Sequence, residues 1–170
     1  MRQSLKMFRL GSLAYERAGK LIFVDAYSRV HSGEKYWITD PTILDEFYLF
    51  EKQLLESIKD SRIRLVVDSI STLFIQNNAH DMLTFNSNRL KMLRRKGIFT
   101  LDCYVNKVLD EQTMFSFAHS YPIIVRMEFQ SIEGGLRRTI QIGKMKSGEF
   151  QASKQPFTID PNTGIITYGT

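Results

Sequence analysis

The sequence predicts an α/β fold: a mostly parallel sheet flanked by helices, finished by a C-terminal β-hairpin and short end strands. Three observations carry that expectation. Apolar runs that close on an aspartate, "KLIFVDAYS" and "RLVVDSIST", alternate with stretches of helical periodicity, the pattern of strand–helix–strand units whose strands run parallel. Each run is apolar without alternation, as strands buried on both faces are. The last third changes character, with two β-rich runs around Glu133-Gly134-Gly135, a hairpin signal.

In chain order, an amphipathic stretch from Leu5 to Ala18 is expected to be helical and to precede a strand over Lys20 to Ser28. "DPTILDEFYLFEKQLLESIKD" reads as the next helix. Asp40 suits its N-cap, Pro41 its first position, and Asp45 and Glu46 lie near its positive end. Ile43, Phe47, Phe50, Leu54 and Ile58 recur at three- and four-residue spacing as one apolar stripe. Arg62 to Asp68 is a second strand. "HDMLTFNSNRLKMLRRKG" follows as a helix closed by Gly97, with Arg94, Arg95 and Lys96 in its last turn. Cations there oppose the negative end of the helix dipole, and a phosphate-binding patch is the alternative reading. "IFTLDCYV" is a further strand whose Asp102 takes no assigned role. After the hairpin, "QPFTI", "DPNTG" and "IITYG" give two short end strands around a turn.

No linker, low-complexity segment or repeat divides the 170 residues, so a single domain over 1–170 is expected. A hydrophobic fraction of 43% and an aromatic fraction of 12% suit a packed core. No apolar run approaches the ~18 residues that span a bilayer, and the opening "MRQSLKMFRLGSLAYERAGK" carries charge throughout without an apolar h-region. Both features point to a cytoplasmic protein with no membrane partner. Cys103 is the single cysteine, which excludes an internal disulfide framework and a cysteine metal cluster. His31, His80 and His119 show neither metal spacing nor a triad and read as surface or packing residues. The net charge of +5, from 23 basic and 18 acidic residues, permits a nucleic-acid partner without requiring one.

Asp68 closes a buried strand and is followed by Ser69 and Ser71. Nucleotide-hydrolysing P-loop proteins place a magnesium-organising carboxylate at such a strand end. The phosphate loop that goes with it, G-x-x-x-x-G-K-[ST], wraps phosphates in backbone N–H groups. Neither Gly-Lys pair supplies it: Gly19-Lys20 has Ala14 and Leu21 at the flanking places, and Gly143-Lys144 has Arg138 and Met145. No G-x-G-x-x-G occurs either, so a Rossmann-type site has no support.

"MRQSLKMFRLG", "KLIFVDAYS", "RLVVDSIST", "NRLKMLRRKGIFTL" and "GLRRTIQIGKMKSGEF…QPFTIDPNTGIITYG", in this order and spacing, resemble the RecA-like ATPases of the KaiC group, the circadian clock ATPase and its archaeal relatives. The resemblance implies a RecA-like fold and a ring assembly holding ATP and magnesium between neighbouring subunits. It gives Asp68 the Walker B role, organising magnesium through water. Lys144 and Lys146 match the K-x-R motif that contacts the neighbour's phosphates in trans. Lys146 stands where the family has arginine, and a lysine cannot grip two phosphate oxygens as a planar guanidinium does. The same resemblance places the Walker A strand and loop, and a strand ending in catalytic glutamates, ahead of Met1. The first core strands are therefore expected to be missing, leaving strand edges open. Alone, the chain is expected to be inactive, acting in a homo-oligomer or beside a complete ATPase. The alternative is a non-catalytic RecA-like partner or regulatory subunit that binds an ATPase or nucleic acid.

Overall fold

The computed structural model describes residues 2–28, 33–59, 62–105, 108–133 and 135–168. The chain divides into two compact units, a central one over Phe23–Ser120 and a terminal one built from Met1–Ile22 and Tyr121–Thr170.

In the central unit, β1 (Val24–Asp25) pairs in parallel with β2 (Tyr36–Trp37). The expected strand over Lys20 to Ser28 is thus reduced to two residues. Its end is local chemistry, because the Asp25 carboxylate accepts the N–H groups of Tyr27 at 2.8 Å and Ser28 at 3.0 Å and turns the chain. Asp40 acts in the same way. Its carboxylate accepts the Thr42 N–H at 3.0 Å and holds a turn, so α3 (Leu44–Ser57) begins beyond the expected cap. Next comes β3 (Arg64–Val67), followed by a 3-10 helix, η1 (Ile70–Ile75), which the sequence pattern did not indicate. The Asn78 side chain caps α4 (Ala79–Arg95) by accepting the Asp81 N–H at 2.9 Å. Gly97, at φ +66, ends that helix in the left-handed region that glycine enters without strain.

β4 (Phe99–Asp102) then pairs in parallel with β3, Arg64 opposite Phe99 and Val67 opposite Asp102. A second element absent from the expectation, α5 (Glu111–Ser120), closes the unit. One core of Ile38, Phe47, Ile70, Leu73, Met82, Phe85 and Phe117 holds these pieces together, with Val67 packed against it. Edge-on ring contacts, Phe47–Phe85 and Phe74–Phe117, fix its interior.

Across the same core runs a buried ion network. Arg89, on α4 and fully buried, donates from Nε to both Glu51 oxygens at 2.9 Å and from Nη1 to Asp102 Oδ2 at 2.7 Å. The Thr100 hydroxyl donates to the other Asp102 oxygen at 2.8 Å. Three elements, α3, α4 and β4, are pinned to one guanidinium. Asp102, unassigned from sequence, is therefore a buried anchor.

The terminal unit starts with α1 (Arg2–Met7) and α2 (Ser12–Arg17). The single helix expected over Leu5 to Ala18 is broken where Arg9 takes φ +52 and Gly11 precedes α2. An Arg2–Glu16 ion pair of 2.6 Å links the two pieces. The hairpin forms as expected, from β5 (Ile123–Ile132) and β6 (Gly135–Met145), and extends through β7 (Gln155–Asp160) and β8 (Gly164–Thr167) into a four-stranded antiparallel sheet.

The described strands match the expected mostly parallel sheet only in part. Parallel pairing occurs where strands and helices alternate, but as two separate two-stranded ladders, and the largest sheet is antiparallel. Among the described residues β3 pairs with β4 alone. Val66, Phe99 and Leu101 stand 59%, 58% and 51% exposed on one face of that ladder. A parallel sheet ordinarily has both faces covered; here the described residues cover one.

Candidate functional site

Asp68 lies directly beyond the carboxyl end of β3, and the two strand ends stay locked beside it. Cys103 N donates to Val67 O at 2.9 Å, and Ile70 N to Cys103 O at 3.0 Å. The Ser71 hydroxyl accepts the Val105 N–H at 2.8 Å. The Asp68–Ser69 peptide is cis. The Asp68 side chain faces solvent. Crevices outside the carboxyl ends of parallel strands are where open α/β sheets bind ligands. Cys103 is half-buried beside this carboxylate; burial, then Asp68 and Asp102, push its thiol up, away from the thiolate that a nucleophile needs.

Among the described residues, no cluster of His, Cys, Asp and Glu of metal-binding size occurs. His80 is exposed, His119 packs edge-on against Phe115 at 4.9 Å, and His31 lies outside the described residues. A lone carboxylate does fit magnesium in its usual habit, with water filling most of the shell and phosphate oxygens the rest. A triphosphate is a different matter, since these residues include no glycine loop whose amides could wrap it.

Lys144 and Lys146 belong to the terminal unit, at the end of β6. The β5–β6 register slips between Ile124 and Val125, so Val125 faces Ile142 while Ile124 faces Lys144. Gly143 is the extra residue, and a bulge of this kind re-aims the side chains that follow it. Lys146 N donates to Pro122 O at 2.9 Å, which fixes the backbone just past the strand, and the Lys146 side chain is exposed. Arg126 lies against the bulge: a Cβ added at Gly143 would sit 3.3 Å from its Nε. Sequence reasoning missed Arg126 because its partner in space is seventeen residues away, across a register shift no periodicity announces. The structure thus brings Lys144, Lys146 and Arg126 to one strand end, while Asp68 belongs to the other unit.

A family model described as "ATPase: KaiC" matches residues 1–170. A UPF0273 protein of Pyrococcus horikoshii is 28% identical over 177 residues, covering 99% of this chain and 68% of that protein. Another, from Aeropyrum pernix, is 30% identical over 162 residues, covering 91% of this chain and 62% of its own length. The chain therefore spans about two thirds of such relatives. Among solved structures, a KaiC-like protein of Pyrococcus horikoshii superposes with a TM-score of 0.70 at 20% identity, over 99% of this chain and 69% of that one. That likeness supports the RecA-type α/β fold. No helix among the described residues is long and apolar enough to cross a membrane.

Proposed function

The chain belongs to the KaiC ATPase family, and from that premise we propose that it contributes half of an ATP site within an oligomer. In this reading the two units form one partial ATPase domain over 1–170, working in the cytoplasm. Asp68 organises magnesium through water. Lys144 and Lys146 reach phosphate oxygens of a nucleotide held by a neighbouring subunit, either another copy or a complete ATPase. Arg126, beside the same bulge, offers the planar guanidinium that Lys146 lacks.

The observation that carries this reading is a solvent-facing Asp68 at the carboxyl end of a parallel strand, in 170 residues without a phosphate loop. Positioning of the phosphates supplies most of the catalysis in this class, so these residues by themselves hydrolyse no ATP. The absence of a loop in the 170 residues equally supports a second reading, a non-catalytic partner or regulatory subunit.

Equilibrium titration of the purified chain with a labelled ATP analogue and magnesium tests the half-site. No tight binding is expected, and micromolar, magnesium-dependent affinity would overturn it. Lys144→Ala, assayed in an oligomer completed by a full-length ATPase of the family, separates the two readings. Lower ATPase supports the trans contact, whereas unchanged ATPase leaves the regulatory reading.

A further inference from the structure

The longer edge of the terminal sheet is open. In the order β5–β6–β7–β8, β5 pairs with β6 alone among the described residues, so the outer N–H and C=O groups of Ile123–Ile132 face no other strand. Such a row is a template for pairing with another chain, and edges are ordinarily blunted by shortness, proline or lysine. The opposite edge is short, since β8 has 4 residues. β5 runs for 10, "IIVRMEFQSI", with neither proline nor lysine. Val125, Met127 and Phe129 share one of its faces and stand 49%, 50% and 68% exposed. Arg126 and Glu128 share the other face. The register slip against β6 lies between Ile124 and Val125, so the strand runs without a break from Val125 to Ile132.

We propose that β5 pairs antiparallel with β5 of a second copy of this chain, forming a dimer about a two-fold axis at Met127. A second copy presents the same open edge, and the order of residues along β5 matches it. About such an axis, residues directly opposite share a face and are mirrored around one central residue. Centred on Met127, the pairing sets Arg126 of each copy opposite Glu128 of the other. It also sets Val125 opposite Phe129 and Met127 opposite itself. Opposite charges and apolar neighbours are the cross-strand pairs that stabilise a sheet. Registers centred on Arg126 or Glu128 bring like charges face to face. Those centred on Val125 or Phe129 set both charges against Pro122, Ile124, Gln130 or Ile132. Glu128 also accepts Lys154 Nζ at 2.7 Å through Oε2, and a carboxylate has acceptor sites for a second cation. The dimer does not depend on the ATP-site reading. Where it forms, Arg126 faces a carboxylate and not a nucleotide, so dimer and trans phosphate contact are separate states of the chain.

Sedimentation velocity of the purified chain over a range of concentrations tests the pairing, with far-UV circular dichroism on each variant. The chain should pass from monomer to dimer as concentration rises. Arg126→Glu and Glu128→Arg each set like charges against one another across the axis, and each should weaken the dimer about tenfold or more. Mixing the two variants restores opposite signs at every such pair. A heterodimer should therefore form at a concentration where each variant alone is monomeric, a rescue that a damaged fold could not give. Lys91→Glu, the same charge change in the central unit, should leave the dimer intact. A chain monomeric at every concentration would overturn the proposal, as would a dimer indifferent to both reversals or a mixture that stays monomeric. Capture of a full-length family member without self-association would also overturn it, by giving the edge to that partner.

Discussion

Arg89→Met removes the only cation among the described groups that face the buried carboxylates Glu51 and Asp102. Arg89 and Asp102 are 0% exposed and the Glu51 side chain 7%, so water cannot take over the lost interactions. Breaking one buried pair in this way costs about 3–5 kcal/mol, and here one deletion takes the guanidinium from two carboxylates. Against a typical folding stability of about 5–15 kcal/mol, such a loss brings the chain close to unfolding. Urea titration followed by far-UV circular dichroism should show the midpoint falling by roughly 2 M.

The pH dependence has a defined sign. Burial raises Glu51 above its ordinary value of 4.5, opposed by Arg89. The folded chain therefore holds the Glu51 proton more firmly than the unfolded chain, and this contribution falls as pH rises from about 4.5 through the folded value. Deleting Arg89 removes the opposing influence and raises Glu51 further, so the variant should regain stability on acidification. Adding Glu51→Gln and Asp102→Asn should recover most of the loss at neutral pH. A loss under ~1 kcal/mol, or no recovery in the triple variant, would refute the uncompensated-charge reasoning.

Asn77 donates to Thr42 O and Leu73 O, both at 2.7 Å, so Asn77→Ala should cost about 1–3 kcal/mol in thermal melting by leaving part-buried carbonyls unpaired. Gly143→Ala should displace the Arg126 side chain, whose Nε is 3.3 Å from the added carbon. Because that side chain is flexible, stability should change by less than ~1 kcal/mol, with the displacement visible in a crystal structure of the variant. At the start of α5, Asp110 accepts the Thr113 N–H at 2.9 Å and the Thr113 hydroxyl at 2.7 Å, which hold its carboxyl below its ordinary value of 3.8. Stability from that cap is present above 3.8 and is lost as pH falls through the lower folded value. Asp110→Ala should accordingly melt lower at neutral pH, with the gap closing in acid.

What the sequence made legible was whatever one segment decides by itself. The stripe from Phe47 to Leu54 produced α3, the two β-rich runs of the last third produced the β5–β6 hairpin, and "RLVVD" produced a strand closed by Asp68. Boundaries moved where a side chain competed with the ladder, as Asp25 and Asp40 do by capturing nearby N–H groups. Helix α5 escaped notice because the strand-rich composition of the last third drew the boundary too early, and η1 because "ISTLFI" reads as an apolar run of no particular period. At the candidate site, Asp68 is suggested by its strand end and the lysine pair by the family resemblance alone. Arg126 and the Glu51–Arg89–Asp102 network depend on pairings between distant segments, which a single sequence does not display.

The β3–β4 ladder shows how a correct local reading can coexist with a different sheet. An apolar run without alternation specifies a strand with both faces buried, and "LVV" of β3 is such a run. Alternation would have been selected had one face been meant for water. In the structure Val67 reaches the core, while Val66, Phe99 and Leu101 face outward. The sequence thus asks for cover that the described residues do not provide, at the ladder whose carboxyl end holds Asp68. Polar substitution on that face separates two explanations. If the face meets only water, Val66→Thr with Leu101→Thr should leave stability and family-partner binding unchanged. If it meets further strands of an ATPase core, the same change should weaken assembly with a full-length family member and leave the melting of the isolated chain unaltered.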